Sequence, residues 1–251
     1  MSLSDRAGLP IFTFHALATD ASPIAFPPAL FERALSRLAE GGYSTLRLVD
    51  VARLVREGRA IPARTCVITF DDGYRSVYDV AWPLLSRYRI TATVFVTVGE
   101  AVSAGERLPP LGGRALLSWA EMREMQAGGI DFGAHTLTHP DLTRLATGAV
   151  EAEMLASQAR LADGLGAPVT TFAYPFGRYD ARSRAVAAAH FEVACSDRLD
   201  FVTRGSDLYA LPRLDTFYLR HAPLLDLLCT PVWGWYFQAR RFPRWLRRRL
   251  A

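Results

Sequence analysis

The sequence predicts one α/β domain built on a parallel sheet, either open or closed. Short apolar runs alternate with helical patterns along most of the 251 residues, and no internal repeat interrupts them. Half of the residues are hydrophobic and 22% are charged, which excludes a disordered chain. In a sheet of this kind, functional side chains belong at the carboxyl ends of the strands.

Six apolar runs are predicted as strands, at residues 10–14, 66–70, 93–98, 130–134, 171–174 and 192–195. Helices are predicted between them, at residues 27–40, 50–57, 77–88, 118–127, 141–163 and 181–189. Proline near the start of the first helix and Gly41-Gly42 at its end mark its boundaries. We expect Pro83 to kink the third helix, and Ser118 with Glu121 to form a capping box on the fourth.

Composition excludes several kinds of chemistry. All 29 basic residues are arginine, so no lysine is present for a Schiff base, for pyridoxal phosphate or for a Walker A motif. The three cysteines are far apart, which predicts reduced, packed thiols. The first six residues lack a secretory pattern, and no apolar run reaches the roughly 18 residues of a membrane span. The expected location is therefore cytoplasmic.

Two adjacent carboxylates, Asp71 and Asp72, directly follow the strand at 66–70. Neighbouring residues on an extended chain face opposite ways, so one carboxylate can ligate a metal while the other stays free as a base. Asp-Asp-Gly is also good turn chemistry, and alone this segment favours a turn.

His135 and His139 follow the strand at 130–134 and lie four residues apart. On a helical turn such a pair points the same way, which suits two ligands of one metal ion. A chance pair of surface histidines is the alternative. Combined with the aspartates at another strand end, the pair indicates a His-His-Asp metal site with an open position.

Two more strand ends carry residues of interest. The sequence Tyr-Pro-Phe-Gly at 174–177 forces a tight bend that can aim backbone N–H groups into a cleft, although a plain turn is the simpler explanation. His15 ends the first strand and belongs either to the same rim or to the core as a hydrogen-bonded histidine. His190 and His221 have no supporting context.

Together and in this order, these segments resemble the motifs of carbohydrate esterase family 4, the polysaccharide deacetylases. Residues 69–73 (Thr-Phe-Asp-Asp-Gly) resemble the first motif, 135–139 the second, and 174–177 a variant of the third. The resemblance covers about residues 8–215 and implies a distorted (β/α) barrel, here of seven strands, which we place at residues 1–223.

The resemblance also implies a chemistry: metal-dependent hydrolysis of N-acetyl groups on amino sugars. By motif position, Asp71 is the general base, and Asp72, His135 and His139 hold a divalent ion, usually Zn²⁺, with Ni²⁺ or Co²⁺ in some such enzymes. The Phe176 N–H would meet the developing oxyanion, and Tyr174 and Pro175 belong to the same substrate-binding strand end.

This sequence departs from the common family pattern at two points. An arginine usually opens the third motif, where this chain has Phe172-Ala173, and the late Leu-x-His motif is missing. The pattern is similar to the branch of poly-N-acetylglucosamine deacetylases, in which an early strand carries an aromatic-His pair. Phe14-His15 matches that pair, so His15 is the candidate general acid. Arg213 is the candidate positive partner of Asp71 from its position alone.

Residues 224–251 are predicted to form an aromatic- and arginine-rich tail. Residues 238–251 carry six arginines and no acid, and because the whole chain has a net charge of +4, the other residues carry −2. A nucleic-acid-binding face across the domain is therefore disfavoured. Tryptophan among arginines suits the headgroups of an anionic membrane, here the inner face; a final helix packed on the barrel is the alternative.

The sequence thus predicts a metal-dependent N-deacetylase of an amino-sugar glycan or a lipid-linked glycan precursor. A deformylase or other amidase acting on a lipid-linked amino sugar is one alternative. A non-catalytic carbohydrate-binding relic of the fold is another, although drift would be expected to spoil the ligand residues first.

Overall fold

A computed structural model describes residues 8–99, 108, 110–230 and 232–240. Its strands in chain order are β1 (Ile11–Phe14), β2 (Ala16–Leu17), β3 (Ala25–Phe26), β4 (Ser44–Thr45), β5 (Thr65–Phe70), β6 (Thr93–Val96), β7 (Asp131–Ala134), β8 (Thr171–Ala173), β9 (Val193–Cys195) and β10 (Leu214–Asp215). Seven of them form a curled parallel sheet in the order β10-β1-β5-β6-β7-β8-β9, and this confirms the predicted α/β barrel. The short β4 pairs with β5, and β2 pairs with β3.

The distorted barrel is closed by irregular chain rather than by an eighth strand. Ala194 of β9 donates to the carbonyl of Leu208 (2.9 Å) and accepts from the N–H of Leu211 (2.9 Å). The N–H of Ser196 then donates to the carbonyl of Leu211, also at 2.9 Å. Residues 208–211 therefore satisfy the edge of β9 just before the chain enters β10.

The helices are α1 (Pro28–Glu40), α2 (Leu48–Arg56), α3 (Trp82–Tyr88), α4 (Trp119–Ala127), α5 (Thr147–Leu165), α6 (Ala181–His190) and α7 (Ala222–Leu225). The capping box of α4 is confirmed, since Ser118 Oγ accepts from the Glu121 N–H and the Glu121 carboxylate accepts from the Ser118 N–H. The prediction of one helix over 77–88 was partly wrong: a π-helical turn at Val77–Ala81 precedes α3, and Pro83 sits in the first turn of α3. The helix predicted from 141 starts at Thr147, after a separate 3₁₀ turn that Asp141 caps.

Helix α2 lies across the amino end of the barrel. Its apolar residues, among them Leu48 and Val51, pack with inward-facing strand residues such as Ile11, Val67 and Phe95. Arg47 at its start bonds to the Asp131 carboxylate at the beginning of β7, and Arg56 at its end bonds to the Glu192 carbonyl before β9. Because α2 covers the amino end of the barrel, a cleft into the barrel can open at the carboxyl end.

The described part of the predicted tail packs on the barrel. Residues 233–240 are helical, and Trp233 and Phe237 are almost fully buried, in the same core cluster as Phe12 and Phe201. The boundary predicted between 223 and 224 is therefore crossed by core contacts. Residues 241–251 of the predicted tail and the first seven residues lie outside the described residues. No helix in the described ranges is both long and apolar enough to cross a membrane.

Two glycines of α5 give a matched test of the packing behind the barrel. A Cβ on Gly164 would lie 2.2 Å from the Cζ3 atom of Trp119, which is fully buried, whereas a Cβ on Gly148 would meet nothing within 4 Å. Gly164→Ala should lower the free energy of unfolding by about 1–3 kcal/mol through overpacking. Gly148→Ala should change it by about 0 to 1 kcal/mol in the stabilising direction. Urea unfolding measures both, and equal effects would contradict the packing described here.

Candidate active site

A cleft of about 280 Å³ opens at the carboxyl rim, the edge of the barrel where β1, β5, β7 and β8 end. Parallel strands place their carboxyl ends on one edge, so residues distant in sequence meet there. The cleft is lined by residues from seven segments of the chain: Thr13, His15, Pro23, Ile24, Asp71, Asp72, His135, His139, Phe176, Gly177, Asp197, Arg213, Asp215 and Phe217.

Asp71 is held by a buried arginine. Arg213 donates from Nη1 to Asp71 Oδ1 and from Nη2 to Asp71 Oδ2, both at 2.7 Å, and its Nε donates to the Ser196 carbonyl at 3.0 Å. Burial alone would raise the pKa of Asp71, but the charge and hydrogen bonds of Arg213 outweigh it and leave that pKa below its ordinary value. The Asp71 carboxylate therefore stays ionised at neutral pH.

His15 lies on the solvent side of this pair. Its Nε2 is 3.9 Å from Asp71 Oδ2, and 28% of its side chain is exposed. Of the two positions that the sequence left open, the structure places His15 in the cleft rather than in the core.

The second aspartate faces both histidines. Asp72 Oδ1 is 3.4 Å from His135 Nε2 and 3.2 Å from His139 Nε2, and one donor atom from each residue lies within 4.8 Å of the others. His135 Nδ1 is 2.7 Å from the Ala173 carbonyl, which turns Nε2 towards Asp72. Burial raises the pKa of Asp72, but hydrogen bonds from the two histidines hold it well below its ordinary value. One carboxylate and two imidazoles fit a divalent metal ion and leave an open coordination position.

Two expectations about local geometry were wrong. Asp71 and Asp72 line the same cleft rather than opposite faces, because Asp72 leaves the extended conformation at φ 72°. The histidine pair lies in a bent loop rather than on a helical turn, with Thr136 at φ 66° and His139 at φ 61°. Left-handed backbone costs about 1–2 kcal/mol per residue. It accompanies the facing side chains of Asp72 and His139, while the Thr136 hydroxyl bonds to the backbone of the loop itself.

Glu153 of α5 holds the histidine loop, and the sequence analysis missed it. Its carboxylate accepts from the N–H groups of Leu137 and Thr138, both at 2.9 Å, and from the Thr138 hydroxyl at 2.6 Å. No local pattern marks Glu153, because it acts from a helix that starts eight residues after His139.

The turn at 174–177 reaches the cleft only in part. The Tyr174 side chain is fully buried and donates to the Tyr209 carbonyl at 2.8 Å, and Pro175 is buried too, so neither side chain lines the cleft. Phe176 is 57% exposed, adopts φ 56° and packs edge-on against His139 with ring centroids 4.7 Å apart. Gly177 leaves no room for a side chain, since a Cβ there would lie 2.1 Å from Asp197 Cβ.

A family model described as "Polysaccharide deacetylase" matches residues 58–191. YxkH of Bacillus subtilis, named for the polysaccharide deacetylases, is 29% identical over 210 residues, which cover 83% of this chain and 71% of YxkH. The poly-beta-1,6-N-acetyl-D-glucosamine N-deacetylase of Staphylococcus aureus is 27% identical over 197 residues, 73% of this chain and 65% of that enzyme. The Escherichia coli enzyme of the same name is 28% identical over 121 residues, and the match spans 18% of its length.

Two solved structures share the architecture. The Streptococcus pyogenes deacetylase PplD, in complex with acetate, matches with a TM-score of 0.74 and 27% identity over 82% of this chain and 91% of that one. IcaB from Ammonifex degensii matches with a TM-score of 0.76 over 91% of this chain and 97% of that one; at 21% identity it supports the fold.

Replacing Arg213 tests the buried pair. Arg213→Met should lower the free energy of unfolding by about 3–5 kcal/mol at pH 7, since it leaves Asp71 buried without its partner. Because the pair lowers the pKa of Asp71 in the folded state, its stabilisation is present above about pH 4 and is lost as the pH falls through that lowered pKa. The loss caused by Arg213→Met should therefore shrink below about pH 4.

The control is Arg184→Met, which breaks a partly exposed bidentate pair with Asp207. It should cost at most about 1 kcal/mol. Chemical unfolding at several pH values measures both variants. An Arg213→Met loss no larger than the control would contradict the role given to burial.

Metal titration tests the three-residue cluster. His139→Ala should weaken Zn²⁺ binding at least about a hundredfold, because it removes one of three ligands. His190→Ala removes an exposed histidine at the end of α6 and should leave binding unchanged. Isothermal titration calorimetry measures the Zn²⁺ affinity of both variants. An unchanged affinity in His139→Ala would exclude this cluster as the Zn²⁺ site.

Proposed function

This chain belongs to the polysaccharide deacetylase family, whose model matches more than half of its length, and from that premise we propose that it removes the acetyl group from an N-acetylated amino sugar. The observation that supports this most directly is that a possible metal site and an ionised carboxylate lie in one cleft. The Asp72, His135 and His139 cluster can hold a metal, and the ionised Asp71 lies beside it.

The residues present fit a divalent ion, and we propose Zn²⁺, with Ni²⁺ or Co²⁺ as alternatives. Held by Asp72, His135 and His139, such an ion would supply Lewis-acid polarisation of the acetamide carbonyl and of a water molecule.

The chain's own groups then have separate tasks. Asp71 accepts a proton from the attacking water, and the two hydrogen bonds from Arg213 fix the orientation of its carboxylate. His15 donates a proton to the leaving amine nitrogen from its partly exposed position beside Asp71. The Phe176 N–H, on the left-handed turn beside His139, donates to the oxyanion.

Two substrate classes remain in the proposal, an N-acetylglucosamine-type polymer and a lipid-linked glycan precursor. The names of the S. aureus and E. coli relatives support the polymer. A precursor presented at the inner membrane face is the second candidate, on the strength of the arginine-rich end of the chain. The assembled carboxylate, imidazole and arginine groups support a catalyst over a carbohydrate-binding relic.

Mass spectrometry of one mixed assay tests this function. Zn²⁺-loaded protein would be incubated with short N-acetylglucosamine oligomers and with a polyprenyl-phosphate-linked N-acetyl amino sugar. We expect loss of 42 mass units, the difference that replacing acetyl by hydrogen makes, from at least one substrate, about a thousandfold slower in Asp71→Asn. Loss of 28 mass units from an N-formyl analogue alone would favour the deformylase instead.

Asp71→Asn should still bind Zn²⁺, because Asp71 is not one of the clustered ligands. Asp207→Asn, which alters an arginine-paired carboxylate outside the cleft, is the matched control and should keep the wild-type rate. Full activity in Asp71→Asn would overturn its assignment as the base. No acyl loss from any of the three substrates would contradict the proposed function.

A further inference from the structure

The helix at 233–240, here called the C-terminal helix, is anchored to the barrel by one face. The Trp233 ring stacks on Phe12 with centroids 6.0 Å apart and meets Phe201 edge-on at 5.5 Å. Phe237, one turn further, is 1% exposed. This face fixes the helix to the outside of β1, so the helix cannot swing freely.

The opposite face of the same helix, extended by the turn residue before it, is apolar and exposed. Val232 is 51% exposed and Trp235 is 63% exposed, and Ala239, four residues on, is also at the surface. These three residues form the docking face. Over the described chain, the other exposed large apolar side chains are Phe176, Tyr179 and Phe217, of the cleft and the turn beside it. An exposed tryptophan that is not part of the cleft lining indicates a second contact surface.

The C-terminal helix runs towards the carboxyl rim. The Tyr236 hydroxyl donates to the Tyr218 carbonyl at 2.7 Å, and the Arg240 guanidinium lies 5.6 Å from the Tyr218 ring and 5.3 Å from the Tyr236 ring. Phe217, next to Tyr218, lines the cleft and is 43% exposed. The helix therefore ends beside the cleft that holds Asp71.

Charge indicates what the docking face meets. Asp226 is the last acidic residue of the sequence, and six arginines follow it. Tryptophan and several arginines within one short stretch of sequence are the combination that anionic lipid headgroups bind, with the indole in the interface and each arginine adding attraction.

We propose that the docking face, together with Arg240 at the end of the helix, binds the surface of an anionic lipid bilayer. The five further arginines of the sequence add positive charge that favours the same surface. Because the helix ends beside the cleft, binding holds the carboxyl rim next to the lipid headgroups. Building on the proposed deacetylation, this orientation favours amino sugars carried on a lipid over polymers free in solution.

Vesicle sedimentation tests the proposal with the full chain. The probes are phosphatidylcholine vesicles with and without about 30% phosphatidylglycerol, an anionic lipid whose surface charge attracts basic segments. Wild-type protein should bind the anionic vesicles and release at high salt, while Trp235→Ala should bind at least about tenfold more weakly.

A charge-matched pair of triple variants separates position from net charge. Replacing three arginines of the C-terminal end by glutamine should weaken binding about a hundredfold. Each arginine near an anionic surface contributes about a fivefold gain in affinity, and three such gains multiply. The same replacement on and just after α2, at the other end of the barrel, should change binding by less than about threefold. The two sets are Arg240→Gln, Arg244→Gln and Arg248→Gln, against Arg53→Gln, Arg56→Gln and Arg59→Gln.

Three outcomes would overturn the docking surface: no binding to anionic vesicles, equal loss in both triple variants, or displacement by single-stranded oligodeoxythymidine at stoichiometric amounts. Deacetylation of water-soluble N-acetylglucosamine oligomers is measured in parallel. Trp235→Ala should keep the wild-type rate there, since Trp235 does not line the cleft. Activity without vesicle binding would refute the docking surface alone, and vesicle binding without activity would refute the proposed function alone.

Discussion

The buried pair of Asp71 and Arg213 is the interaction on which the rest of the site depends. A guanidinium inside a barrel needs a full set of acceptors, and both oxygens of Asp71 meet that need. The Asp71 carboxylate is thereby committed to Arg213, while the Asp72 carboxylate faces His135 and His139. Two adjacent and chemically equal carboxylates acquire different roles because one of them is committed to Arg213, the residue just before the last strand.

Backbone conformation also contributes to the different orientations of the side chains at the carboxyl rim. Asp72, Thr136, His139 and Phe176 all adopt positive φ, and all four lie at the carboxyl rim. Such a concentration is unfavourable unless the surroundings enforce it. Glu153 supplies part of that enforcement, because its carboxylate takes up the N–H groups that the bent histidine loop exposes. The rim is therefore a set of strained turns on a rigid barrel, as a preorganised site requires.

The sequence was sufficient to predict the parts of the fold that follow from regular hydrophobic patterns and from parallel strand geometry. Apolar runs located six of the seven barrel strands, and parallel geometry alone placed Asp72 and His139 at one edge although they are 67 positions apart. The seventh, β10, is two residues long and carries no period to detect. Neither the left-handed turn at Asp72 nor the reach of Glu153 from α5 could be predicted, because each depends on tertiary contacts rather than on local pattern.

Composition left the C-terminal segment open between a membrane-contacting tail and a final helix packed on the barrel. In its described part, Trp233 and Phe237 each bury an aromatic side chain in the core, worth about 2–3 kcal/mol apiece. Detaching the helix would lose the burial free energy of both side chains. Arg240 therefore lies at a point fixed relative to the cleft, beside Tyr218. A surface that binds the docking face and Arg240 must hold the cleft in one orientation.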